Sequence, residues 1–352
     1  MSEASRDLLV VGSGLEAHLA LHRLSSLEFG GKLLQLPRPV GREERFLFTE
    51  LADWHAGERG PKAAFLLDIW GKKVLSIALP PLQQFEPPKA PPKNVEVLAE
   101  GLEINRTVRG EHGLTVSLTD GTDLVCQGVL YCDGPESGCR KFWDKPVPPN
   151  QDVYTVQCWE FSTENLLSIA RWEFRWAIAK SVELVPLSQD RLRVRLRFKS
   201  RHGSALSTSE LQDLFSEFGS DMTALFEGLE SDQIQRREET GTSRAVHLPA
   251  PGCLALGRAA WSTSGFLTFD WLARFVSKQL HILEEQLRAG PLNEPSFEAQ
   301  SQLMLEELSE AEHYCRRHLH SDNTMLIPLR NLLLTLLPNP LLANQIKKRL
   351  YS

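Results

Sequence analysis

Asp7-Leu8-Leu9-Val10-Val11-Gly12-Ser13-Gly14-Leu15-Glu16-Ala17 is the stretch whose reading decides the fold. Asp7–Val11 reads as a short buried strand, and Leu15–Ser26 as a helix with Leu19, Leu21 and Leu24 on a packed face. Between them stands Gly12-x-Gly14-x-x-Ala17. Glycines in such a turn let the backbone bend sharply and approach a diphosphate, whose charge is favoured by the free N–H groups at the helix N-terminus. A strand before and a helix after are the context in which this pattern specifies a dinucleotide-type unit. Such units carry an acidic residue about 20 residues further on, at the end of the second strand, where it holds the ribose hydroxyls. Here that strand, Lys32–Leu36, runs into Pro37-Arg38-Pro39 with no acid. Gln35 is expected to point into the core and Arg38 to lie against adenine or phosphate.

Working outward, Asn94–Ala99, Leu102–Arg106, Leu114–Thr119 and Leu124–Tyr131 read as strands, with Asp120-Gly121 as a tight hairpin turn. A second β-rich region covers Tyr154–Phe161, Trp172–Val185 and Arg191–Phe198. In the last of these, arginine alternates with apolar side chains, the period of a strand with two unlike faces. A solvated arginine face is the expectation, and an anion site the alternative. Ser209–Phe218 begins a helix that Ser207 or Thr208 caps, with Glu210 in its first turn. Leu254–Leu256 returns to strand, and Phe269–Leu287, Ser296–His318 and Met325–Leu337 read as helices. Gly41–Gly71 carries loop signals and one short helix, and the proline-rich Leu79–Pro92 crosses the surface as extended chain.

Bulk properties narrow the function. The 352 residues suffice for two intertwined domains and a sizeable core. With 42% hydrophobic and 24% charged residues the composition is that of a soluble globular protein, and a net charge of −6 argues against a nucleic-acid partner. The six cysteines form no Cys-x-x-Cys pair, so neither a zinc site nor a disulfide framework is expected. Leu8–Val11 is too short for a signal segment, and prolines and polar residues interrupt Met325–Ala343, so a cytoplasmic protein is the expectation.

A second motif lies in Val129–Arg140: Asp133-Gly134-x-x-Ser137-x-x-Arg140. Read by itself it is a strand, a turn and a capped helix, with Asp133 as the cap. Beside the first motif it resembles the second fingerprint of the aromatic-hydroxylase, or para-hydroxybenzoate-hydroxylase-like, flavin monooxygenases. A third segment, Gly257-Arg258-Ala259-Ala260-Trp261, aligns with that family's Gly-Asp-Ala-Ala-His, Arg258 standing for the acid and Trp261 for the histidine. The family's following glycine-rich turn is shortened here to Ser262–Phe266, which contains Gly265. Trp176–Pro186 with Arg191–Phe198 is similar to the substrate-side sheet of the ubiquinone-biosynthesis hydroxylase branch.

The resemblance implies an α/β flavoprotein fold, with an FAD-binding Rossmann-like domain interleaved with a β-sheet substrate domain and a helical C-terminus. The FAD domain would comprise residues 1–80, 94–150 and 250–290, the substrate domain 151–249 with part of 41–93, and the helical region 291–352. FAD would be held by Gly12, Gly14, Ala17, Arg38, Asp133, Gly134, Arg140, Gly257, Arg258 and Gly265. NAD(P)H would be the reductant, and the activity an oxidoreductase reaction of the monooxygenase type on a hydrophobic or aromatic small molecule. No catalytic residue is assigned, because oxygen transfer in this class is carried by the flavin. Arg258, Trp261, the missing ribose acid and the short front region motivate the alternative: a non-catalytic relative that keeps the fold as a binding or maturation partner.

No Gly-x-Ser-x-Gly elbow, His-Glu-x-x-His or P-loop competes with this reading. His18 reads as a packed or partly exposed helix residue, and His313, His318 and His320 beside Glu312 as a solvated charge cluster rather than a metal site. Leu332–Leu342, followed by Lys347-Lys348-Arg349, is expected to pack on the FAD domain. Contact with a partner protein, attachment to an anionic membrane, or a channel wall for a lipophilic substrate are its alternative roles.

Overall fold

The computed structural model describes residues 6–27, 30–38, 47–49, 63–67, 73–78, 82–84, 91–134, 137–138, 156–199, 206–226, 229, 233–239, 243–244, 252–262, 270–290, 292–304 and 306. Strand β1 (Leu8–Val11), helix α1 (Leu15–Ser25) and strand β2 (Leu33–Leu36) form the opening unit. β1 lies at the centre of a five-stranded parallel sheet, flanked on one side by β2 and Val95–Val97 and on the other by Gly128–Tyr131 and Cys253–Ala255.

Both faces of its inner strands are covered, which is why Leu8–Val11 and Gly128–Tyr131 are apolar without alternation. Leu8, Val10, Leu130 and Leu254 pack on one side against Leu19, Leu21 and Leu24 of α1 and against Val276, Leu280 and Leu283 of a later helix, Asp270–Ala289. Leu9, Val11, Val129 and Tyr131 pack on the other side against Ile104, Leu114, Val116 and Leu118. Those residues belong to a three-stranded antiparallel sheet, Ile104–Gly110, Gly113–Leu118 and Asp123–Cys126, whose last hairpin turns at Asp120-Gly121 with Gly121 at φ +87°. Two α-helices, a parallel sheet and a small antiparallel sheet thus form three layers.

A seven-stranded sheet makes the second core. Its order is Gln235–Glu239, Val156–Glu164, Arg191–Lys199, Lys180–Pro186, Trp172–Ala177, Ala63–Leu67 and Lys73–Ala78. Leu192, Val194, Leu196 and Phe198 share one face with Val182 and Leu184 and pack on Leu211, Phe215, Met222 and Leu225, which come from the helices Thr208–Phe215 and Ser220–Phe226. Ser207 caps the first of these in a reciprocal capping box: Glu210 N–H donates to Ser207 Oγ at 3.3 Å and Ser207 N–H donates to the Glu210 carboxylate at 2.7 Å.

Two expectations are corrected. The arginine face of Arg191–Lys199 is buried rather than wet beyond Arg191, which is exposed: Arg193, Arg195 and Arg197 are 4%, 5% and 1% exposed. Glu160 on one neighbouring strand and Glu183 on the other both stand in register with Arg195. Arg195 donates to Glu160 at 2.7 Å and to Glu183 at 3.2 Å, and Arg197 donates to Glu183 at 2.7 Å. The second concerns Gly41–Gly71, where two strands occur within the stretch expected to hold loops and one short helix: Leu47–Thr49 pairs with Leu82–Gln84, and Ala63–Leu67 pairs in parallel with Trp172–Ala177 and antiparallel with Lys73–Ala78. The rest of that stretch lies outside the described residues. Among the described residues no helix is long and apolar enough to cross a membrane.

Candidate functional site

The glycine turn is held from three directions. Gly12 N–H donates to Leu36 of β2 at 3.0 Å, and Gln35 Nε2 donates to the Gly12 carbonyl at 2.9 Å. On the opposite side Cys132 N–H donates to Val11 at 2.8 Å. Gly12 has φ +132°, and a Cβ there would lie 2.6 Å from the Cys132 carbonyl oxygen. The turn therefore requires glycine for its own packing against the strand Gly128–Tyr131. Gly14 is the N-cap of α1 and has no side-chain cap bond; Ala17 is fully buried. Gln35 points into the core as expected, 6% exposed.

The positive end of α1 has a partner from within the chain. Glu16, in the first helical turn, is 0% exposed, and its Oε2 lies 3.5 Å from where a Gly14 Cβ would be. Its carboxylate accepts two bonds from the Arg258 guanidinium, at 2.7 Å from Nε and 3.1 Å from Nη2, and a longer one at 3.4 Å from the Arg258 N–H. An anion in the first turn is favoured by the helix dipole, and a bidentate guanidinium is its strongest side-chain partner. The pair spans the two segments that the resemblance assigns to the diphosphate and to the ribityl chain. Sequence reasoning passed over Glu16. The signal was an acid inside Gly-x-Gly-x-x-Ala together with a base in the third segment, two opposite charges in the segments that the resemblance brings together.

Gly257 begins the turn that carries Arg258 and has φ +57°. Its N–H donates to Gln279 Oε1 at 2.8 Å, while Gln279 Nε2 donates to the Ala255 carbonyl at 3.3 Å. Gln279 is wholly buried on the helix Asp270–Ala289 and is a second residue that the sequence did not single out. The following amides are also engaged: Ala259 N–H donates to Leu256 and Ala260 N–H to Gly257.

Asp133 and Arg38 meet beside this centre. The Asp133 carboxylate accepts from Ser137 Oγ and, at 2.8 Å, from Gly138 N–H, so it caps the turn that follows Gly134, itself at φ +80°. Arg38 Nε stands 3.9 Å from Asp133 Oδ2, and Arg38 Nη2 stands 3.7 Å from Glu103. Arg38 N–H donates to Ser13 Oγ at 3.2 Å, which joins the end of β2 to the glycine turn. The structure thus gathers Gly12, Gly14, Ala17, Gly257 and Arg258 around the start of α1, with Arg38, Asp133 and Gly134 at its flank. Arg140, Gly265, the Trp261 side chain, the His313, His318 and His320 cluster, and the C-terminal stretch from Met325 lie outside the described residues.

Two titrating groups are displaced from their ordinary values, His18 on the first helix and Cys126 at the far end of β1 from the turn. Burial lowers the His18 pKa, opposed in part by a hydrogen bond with the Ser13 backbone. Burial pushes the Cys126 thiol up to about 12, which makes it an inert core residue.

No protein-family model and no curated protein matches the chain. Solved structures do. An HpxO variant from Klebsiella pneumoniae complexed with FAD superposes with TM-score 0.75 at 15% identity, over 98% of each chain. HpxO from the same organism, complexed with FAD and uric acid, gives 0.73 at 13% identity over 98% of this chain and 96% of that one. PqsL from Pseudomonas aeruginosa, described as a probable FAD-dependent monooxygenase, gives 0.65 at 15% identity over 90% and 97%. Identities this low speak for architecture alone. The chain has the fold of the FAD-dependent monooxygenases, a parallel Rossmann-like sheet joined to antiparallel sheets, along its whole length.

Proposed function

We propose that this chain is a non-catalytic relative of the FAD-dependent monooxygenases, which keeps their fold as a binding or maturation partner in the cytoplasm. The observation that carries the reading is the buried Glu16–Arg258 pair. A flavin diphosphate laid on the glycine turn in the family manner would meet a carboxylate where it needs N–H donors. Two anions in one desolvated space repel strongly. The residue aligned with the ribityl-holding acid is the guanidinium already bound to that carboxylate, so FAD does not fit these residues in the family manner. Gln279 takes the Gly257 amide, and no acid closes β2.

The test is an absorbance spectrum of freshly purified protein, before and after incubation with FAD and removal of the excess. No flavin bands, which fall near about 375 and 450 nm for oxidised isoalloxazine as a property of the cofactor, are expected. Retained flavin that oxidises NAD(P)H in the presence of oxygen would overturn the reading.

A second reading, an FAD-dependent monooxygenase-like oxidoreductase acting on a hydrophobic or aromatic small molecule with NAD(P)H as reductant, is favoured by Arg38. That residue follows the end of β2, where a nucleotide's ribose approaches such folds, and its buried Nε makes no hydrogen bond. The HpxO complex with FAD and uric acid supports the same direction. The spectrum separates the two readings.

A further inference from the structure

We infer that the Glu16–Arg258 pair is an internal surrogate for a dinucleotide diphosphate: it supplies the cohesion that such a ligand brings to this fold, and it excludes one from the same seat. The inference deepens the non-catalytic reading and rests on it. A dinucleotide in a strand–turn–helix unit places anionic oxygens against the first turn of the helix and joins that turn to segments distant in sequence. Glu16 does the first with its own carboxylate, over Gly14. Arg258 does the second, since the pair joins residues 242 apart in the chain.

The geometry is that of a built contact. Two guanidinium nitrogens of Arg258 meet the two carboxylate oxygens, and the Arg258 main chain adds a third donor. The Glu16 side chain is 1% exposed and that of Arg258 is 13% exposed. Breaking one side of such a pair strands a buried charge, whereas removing both charges does not. The turn that presents Arg258 is fixed in its turn by Gln279, which satisfies the Gly257 amide and the Ala255 carbonyl.

The experiment is thermal unfolding of the full chain, with and without saturating FAD, for the native protein and four variants: Glu16→Ala, Arg258→Ala, the two combined, and Glu16→Ala with Arg258→Asp. Each single substitution is expected to lower the midpoint by roughly 5 °C or more. The combined alanine variant is expected to lose clearly less than the sum of the two. FAD should leave the native midpoint unchanged and raise that of Glu16→Ala with Arg258→Asp, with bound flavin detected by its fluorescence. Single variants that refuse to fold while the combined alanine variant folds would support the surrogate equally. Unchanged midpoints in the singles, strictly additive losses, or no FAD response in the Glu16→Ala with Arg258→Asp variant overturn the surrogate and leave the non-catalytic reading standing. A native midpoint that rises with FAD overturns both.

Discussion

Glu16 and Arg258, 242 residues apart in the chain, meet as a bidentate carboxylate–guanidinium pair at 2.7 Å and 3.1 Å beside the N-terminus of the first helix. Each charge alone would be hard to keep there. A buried carboxylate in the first turn gains from the helix dipole but still needs donors, and a largely buried guanidinium needs an acceptor. Together they satisfy each other and leave a neutral contact at a place where related folds admit a ligand. A base at Arg258 is therefore intelligible with the acid at Glu16 beside it.

The glycine turn is expected to be indispensable even without a nucleotide. Gly12→Ala puts a Cβ 2.6 Å from the Cys132 carbonyl and forces an alanine to φ +132°. Neither strain relaxes cheaply, because the opposing atom is backbone in the sheet. A loss of about 3 kcal/mol or more is expected in urea unfolding at equilibrium, with the slope unchanged. A loss below about 1 kcal/mol would mean that the turn can shift, and that the glycine serves a ligand.

Gln35 is expected to contribute through one bond. Its Nε2 donates to the Gly12 carbonyl at 2.9 Å from a nearly buried position. Gln35→Leu keeps the volume and removes the donor, which costs about 1–3 kcal/mol when the acceptor is left without a substitute. Denaturant titration checks it; an unchanged midpoint would show that another donor takes over.

Much of the first layer was legible because its signals are local. Leu8–Val11 has no polar residue, Gly12 follows at once, and Asp120-Gly121 announces its own hairpin, so strand, turn and meander could be placed by short-range rules. What escaped depends on partners far along the chain. Arg195 reads as solvated until Glu160 and Glu183 are seen in register with it on two other strands. Ala63–Leu67 sits between the distant Trp172–Ala177 and the nearby Lys73–Ala78, and only the second pairing is within reach of a local rule. At the site the same limit applied: Gly12, Gly14 and Arg258 were singled out, but Glu16 gains meaning only from Arg258, and Gln279 only from the folded position of Gly257.

Ser207 offers a check on a single local device. Its hydroxyl accepts from Glu210 N–H while Glu210 answers on the Ser207 N–H. Ser207→Ala removes half of the box and is expected to cost about 1 kcal/mol. Because the helix Thr208–Phe215 carries Leu211 and Phe215 into the second core, the loss should appear in global unfolding rather than as local fraying. Proteolysis that speeds up within this helix while the global midpoint stays fixed would show the helix to be uncoupled from the sheet.

The last prediction concerns acid. Burial opposes ionisation of Glu183, but Arg195, Arg197 and Arg193 together outweigh it and hold its carboxyl below the ordinary value of 4.5. A carboxyl depressed in the folded state contributes stability that is fully present above its unfolded pKa and is lost as pH falls through the folded one. The contribution should therefore persist from neutral pH to about pH 4.5 and decline below it. Glu183→Gln takes the shared carboxylate away from Arg195, which keeps Glu160, and from Arg197, for an expected loss of roughly 3 kcal/mol at neutral pH. As the native carboxyl takes up its proton the two proteins become alike in charge, so the gap between their unfolding midpoints should narrow in acid. Melting curves from neutral pH down to about pH 3 would read this directly. A gap that stays constant over that range would mean that Glu183 binds protons equally in the folded and unfolded chains, and that the arginine row does not depress its pKa.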